Sequence, residues 1–101
     1  MKAATSAIST VPKTYFLLAP EVKLVKIGQS GNPFARMAAL RRMNAADVEI
    51  LTVVSEKEAV LHERFKHLRH HGEWFRVDPE IGIYLDEISE HEAADRLWAV
   101  V

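Results

Sequence analysis

The sequence predicts a small α+β domain: a mainly antiparallel three-stranded sheet flanked by helices. Three observations carry this. Two β-rich runs lie close enough to form a hairpin, clear helix-start signals stand ahead of several amphipathic stretches, and 101 residues suffice for one hydrophobic core but little more. The first run is Thr14-Tyr15-Phe16-Leu17-Leu18-Ala19, stopped by Pro20, and the second is Leu24-Val25-Lys26-Ile27-Gly28. Asn32-Pro33 then supplies an N-cap and a proline at the first helical position. That helix is expected to reach about Met43, with Phe34, Met37, Ala38 and Leu40 on one side. Val48 to Val54 reads as the third strand.

Ser55-Glu56-Lys57-Glu58 has the capping-box pattern and opens a second helix expected to run to about His70, where His71-Gly72 stops it. Glu73 to Val77 is short and extended. Asp78-Pro79 begins a third helix through Ile81, Tyr84, Leu85 and Ile88. A second capping box, Ser89-Glu90-His91-Glu92, precedes a short final helix carrying Leu97, Trp98 and Val101. The order ββαβα plus trailing helices is that of an α+β domain. Residues 1–12, small and polar, are expected to be a flexible leader, 13–88 the domain, and 89–101 a helical extension packed on it.

Composition excludes several function classes. The chain has no cysteine, which removes disulfides, thiolate zinc sites and thiol catalysis. It has no apolar run near the roughly 20 residues of a membrane span and no secretory signal, so a cytoplasmic home in a bacterium or phage-infected cell is expected. The net charge of −1 is unevenly placed: residues 23–76 sum to +4 and residues 77–101 to −6. A positive middle suits phosphate contact; it is equally an ordinary solvated surface.

Projection of the second helix at 100° per residue puts Leu61, Phe65 and Leu68 in one core-facing stripe, with Glu58 at its edge and His62 and Arg69 on the same flank. Glu63, His67, His70 and His71 point away. Glu58 thus looks toward the sheet, or simply completes the capping box. Arg36 flanks the Met37/Leu40 stripe, either to hold a phosphate bidentately or to snorkel over the surface. Tyr15 is a strand aromatic that a core would also use. Lys26 interrupts an apolar strand, which an edge strand tolerates.

Order and spacing bring these residues together. Tyr15, then Lys26-Ile27-Gly28, then Arg36, then Glu58-Ala59-Val60-Leu61 resembles the GIY-YIG nuclease superfamily. Val25-Lys26-Ile27-Gly28, His62, Phe65 and Gly72-Glu73-Trp74-Phe75 resemble its compact phage and bacterial branch, related to meiotically up-regulated gene products. The likeness covers Tyr15 to about Tyr84. The chain departs from the superfamily pattern at Lys13-Thr14, in the glycine and isoleucine positions, and at Lys26, where a second tyrosine is usual.

The resemblance implies an endonuclease, with DNA the expected substrate and Mg²⁺ (or Mn²⁺) held by Glu58. Arg36 would stabilise developing charge on phosphorus. Tyr15 would orient or deprotonate the attacking water, which asks for a lowered phenol pKa, and Lys26 is a candidate source of that shift or a phosphate contact. His62 would relay a proton, bind phosphate or serve as a hydrogen-bonded structural histidine. Lys23, Lys26, Ser30, Arg36, Arg41, Arg69 and Trp74 are the expected nucleic-acid contacts. A homodimer or a partner subunit would supply sequence specificity. The alternatives are a non-catalytic nucleic-acid-binding module on the same fold and an interaction protein docking through Ile81 to Val101.

Overall fold

A computed structural model of the chain describes residues 13–43 and 47–101; the expected leader, residues 1–12, lies outside them. The fold is α+β, as expected, but its antiparallel sheet has five strands where the sequence suggested three. Strands β1 (Lys13–Ala19), β2 (Leu24–Ser30), β3 (Glu49–Val54), β4 (Arg69–His71) and β5 (Trp74–Arg76) lie in the order β3-β1-β2-β5-β4. Helix α1 is Pro33–Met43, α2 Glu58–Arg64, α3 Pro79–Glu87 and α4 His91–Trp98.

The expected hairpin forms, with Lys23 at φ 55 in its turn and Tyr15 opposite Gly28, Leu17 opposite Lys26. Side chains alternate across a strand, so β1 serves two cores. Phe16 and Leu18 join Val25, Ile27, Phe75 and the apolar faces of α2, α3 and α4. Tyr15 and Leu17 face the other way, onto Leu40 of α1 with Met37, Ile50 and Val53 beside them. Helices thus cover both sheet faces. β2 is internal, flanked by β1 and β5, so the edge-strand explanation of Lys26 fails.

Helix starts obey the sequence in two places and not in two others. Asn32 Oδ1 accepts the Ala35 N–H (3.2 Å), and Asp78 Oδ2 accepts the Glu80 N–H (2.9 Å), both with proline next in sequence. Neither capping box forms. Helix α2 begins only at Glu58, after an extended Lys57, and α4 follows Glu90, which instead accepts the Thr52 hydroxyl. Nor does α2 reach His70. It ends at Arg64, a single 3₁₀ turn spans Lys66–Leu68, and β4 follows. Leu61, Phe65 and Leu68 are all buried as projected, since the 3₁₀ turn keeps Leu68 on the core side. His67, His70 and His71 therefore do not share a helix face: His67 meets Glu80 at 2.7 Å, and His70 and His71 touch each other on β4.

Candidate active site

Tyr15 is the centre of the α1 side of the sheet. Its ring lies across Gly28 so closely that a Cβ on that glycine would sit 2.5 Å from Tyr15 Cζ. The cross-strand pair is a tyrosine and the one residue that leaves it room. From α1, Arg36 lies near the phenol, and its positive charge favours the ionised form. Burial pushes the phenol above its ordinary pKa; Arg36 opposes this and does not overcome it, while the charges of Glu73 and Glu58 add to the rise. This reverses the expected downward shift, and Lys26 is not its source. Tyr15 is held as a neutral phenol.

Lys26 emerges on the same face, with its side chain 10% exposed. A buried ammonium requires a partner, and the β4–β5 hairpin supplies two. Glu73 Oε1 lies 3.0 Å from Nζ, and the Trp74 ring faces it at 5.6 Å. Register explains the arrangement, since Lys26 pairs across the sheet with Trp74.

Glu58, the first residue of α2, reaches this group from the other side. Burial and then the neighbouring charge of Glu73 raise its carboxyl above the usual range, against the pull of His62 and Lys26; the two carboxyls are also within hydrogen-bonding reach. One turn on, His62 Nε2 donates to the Ile27 carbonyl at 2.7 Å, and its ring meets Phe75 edge-on at 5.0 Å. The Ile27 N–H is taken by the Glu73 carbonyl at 3.0 Å. His62 thus satisfies the carbonyl that β5 leaves unpaired.

Tyr15, Lys26, Arg36, Glu58 and His62 converge, and Trp74 stands beside them. The other candidates separate. Ser30 shapes the turn before α1, its hydroxyl accepting the Asn32 N–H at 3.0 Å. Lys23 lies outside β2, exposed in the hairpin turn that precedes it. Arg69 stacks over Phe75 at 5.1 Å, against the main-core side of the sheet. Arg41 lies on α1, its side chain outside the described residues. Glu73 is the member for which the sequence left two roles open, a second acid near the site or the partner of a basic residue, and it stands beside both Glu58 and Lys26. The signal was its place between a turn glycine and two aromatics.

Among the described residues no group of three or more His, Asp or Glu gathers as a metal cage. The donor set nevertheless fits a hard divalent ion that keeps most of its waters. Glu58 and Glu73 lie side by side, two carboxyls that could share such an ion.

The model of the T5orf172 domain matches residues 13–93. The chain belongs to that family. The match runs from β1 into α4 and includes every residue of the cluster, so the site is part of the T5orf172 domain itself. No curated protein and no solved structure matches the chain. Among the described residues, no helix of this T5orf172 domain is long and apolar enough to cross a membrane.

Proposed function

We propose that this chain hydrolyses phosphodiester bonds of nucleic acid, with DNA its first candidate substrate, as a GIY-YIG-type endonuclease using Mg²⁺ or Mn²⁺. The observation that carries this reading is the convergence of Tyr15, Lys26, Arg36 and Glu58, four residues drawn from β1, β2, α1 and α2. The T5orf172 domain occurs in phage and bacterial nuclease-like proteins, which supports the same reading.

Glu58 holds the cation, which when bound neutralises charge on the scissile phosphate. Arg36, beside the phenol, presents its N–H groups to the phosphoryl oxygens as their charge grows. Tyr15 keeps its proton, so its hydroxyl orients the attacking water rather than deprotonating it. With Nε2–H engaged by Ile27, Nδ1 of His62 is the atom that takes a proton. Lys26 adds a second fixed positive charge.

The experiment is incubation of the chain with supercoiled plasmid and with single-stranded DNA in Mg²⁺, Mn²⁺ or EDTA. Cation-dependent nicking is expected, abolished by Glu58→Gln and retained by Glu63→Gln, whose carboxylate is exposed and paired with Lys66. Loss of a cation ligand is expected to cost several kcal/mol of transition-state stabilisation, at about 1.36 kcal/mol per tenfold in rate. Full cleavage by Glu58→Gln would remove the cation assignment.

One feature favours a second reading, a non-catalytic nucleic-acid-binding module: burial raises the Tyr15 phenol rather than lowering it, so no phenolate is available there as a base near neutral pH. That reading predicts cation-independent DNA binding with a steep salt dependence and no scission.

A further inference from the structure

Lys26 and Glu73 form the tightest charge contact in the site, and the proposed reaction uses only one of them. The ammonium is nearly buried, and its one carboxylate partner lies at 3.0 Å. That partner also lies against Glu58, so Glu73 has two neighbours of opposite sign. Its backbone is fixed, because its carbonyl accepts the Ile27 N–H at 3.0 Å. Its side chain is 38% exposed and has room to change rotamer. Exchange of partners therefore needs side-chain torsions alone.

We propose that Glu73 is an exchangeable carboxylate: it neutralises Lys26 in the free protein, and when a phosphate oxygen of nucleic acid takes the Lys26 ammonium, Glu73 turns to Glu58 and becomes the second carboxylate of the cation site. The inference rests on the nuclease reading given above. Charge decides its direction. A phosphate in place of a carboxylate leaves Lys26 neutralised, so the exchange does not strand a buried charge. The freed carboxylate would otherwise face Glu58 uncompensated, and a divalent ion between the two removes that repulsion. Substrate and cation then bind cooperatively, each raising affinity for the other by the same factor. The Gly72-Glu73-Trp74-Phe75 run acquires a role residue by residue: turn, exchangeable acid, aromatic wall for Lys26, and core anchor against His62.

The test is a double-mutant cycle read as Mn²⁺ affinity, by calorimetry or by the electron paramagnetic resonance of free Mn²⁺, on the full chain without nucleic acid. Lys26→Met releases Glu73 and is expected to bind Mn²⁺ about tenfold tighter than the unaltered chain, within the usual range of coupling between sites. Glu73→Gln is expected to bind about tenfold more weakly. The double variant is expected to match Glu73→Gln, because Lys26 has nothing left to release. A lysine that merely repels the cation would give the same gain with and without Glu73, and that result overturns the proposal. So does unchanged affinity in Glu73→Gln, or Mn²⁺ binding by none of the four proteins. Lys26→Gln repeats the cycle if Lys26→Met proves unfolded by circular dichroism. None of these readings requires cleavage. A cycle that holds in a chain that never nicks plasmid keeps the exchange and removes the nuclease.

Discussion

Glu58 carries its charge against two forces, burial and the neighbouring carboxylate of Glu73. The sign of the consequence for stability follows directly. The folded chain holds this proton more tightly than the unfolded chain, whose reference value is 4.5. Below that value both states are protonated and the site costs nothing. As pH rises through the raised folded pKa, stability is lost, and it stays lost at neutral pH. Glu58→Gln removes the penalty. In EDTA at pH 7 the variant is expected to be more stable than the unaltered chain by less than about 1 kcal/mol, since solvent screens this partly exposed group. The gap is expected to close at pH 4, and urea unfolding at both pH values measures it. A variant less stable at pH 7 would mean that the ionised carboxylate is favourably partnered, against the crowding described here. The same crowding is what a cation would relieve, so a site tuned for binding shows itself as a small folding cost.

At the scale of elements, the β4–β5 hairpin determines where the charges sit. It adds β4, which the sequence reading absorbed into the second helix, and β5, which it read as a short extended segment outside the sheet; each is only three residues long. Gly72 turns it at φ +53, a left-handed conformation that a Cβ disfavours by about 1–2 kcal/mol. Gly72→Ala is therefore expected to lower unfolding free energy by about 1 kcal/mol. Gly31→Ala is the control: a Cβ there meets nothing within 4 Å, and the variant is expected to match the unaltered chain within about 0.5 kcal/mol. Equal urea midpoints for both would mean that the turn adapts without strain. What was legible and what was not divides along a physical line. Strong local signals, Asn32-Pro33 and Asp78-Pro79, formed the caps they promised. The capping box at Ser55 did not, because the segment between β3 and α2 leaves Lys57 extended and delays the helix to Glu58. Periodicity also carried α2 too far. Leu61, Phe65 and Leu68 have helical spacing, but Arg69 and His71 are drawn into pairing with β5, a tertiary contact that no local pattern encodes. The site fared better than the element boundaries for a similar reason. Tyr15, Lys26, Arg36 and Glu58 stood out by order and spacing, while the partner of Glu73 was decided only by the register that sets Trp74 opposite Lys26.

Over the whole molecule, the sheet separates two surfaces of different charge and different purpose. Helix α1, with Arg36 and Arg42 exposed, covers the face that carries Tyr15 and Lys26. The acidic C-terminal quarter of the sequence, which holds the −6, packs against the opposite face as α3 and α4. Under the nuclease proposal, the first face is the one that would meet phosphate. The interaction-protein alternative docks through Ile81 to Val101, a segment whose inner side is part of the main core. Ala93, Ala94 and Leu97 of α4 are buried in the same core as Phe16, Phe65, Ile81 and Leu85. Trp98 closes so tightly on α3 that a Cβ at Gly82 would lie 2.8 Å from its Cε2. Since Phe16 and Tyr15 are adjacent on β1, loss of this packing loosens the strand that holds the site. Leu97→Ala is expected to cost about 2–5 kcal/mol, the usual range for such a cavity in a core. For a domain of this size that is a fall of roughly 10 °C or more in Tm. Deletion of residues 91–101 is expected to leave no cooperative transition at all. Asp95→Ala, on the exposed side of the same helix, serves as the control and should melt within about 0.5 kcal/mol of the unaltered chain. Thermal unfolding followed by circular dichroism separates these cases. A truncated chain that melts cooperatively near the original temperature would show that α4 is an appendage, and would restore it as a surface free to dock a partner.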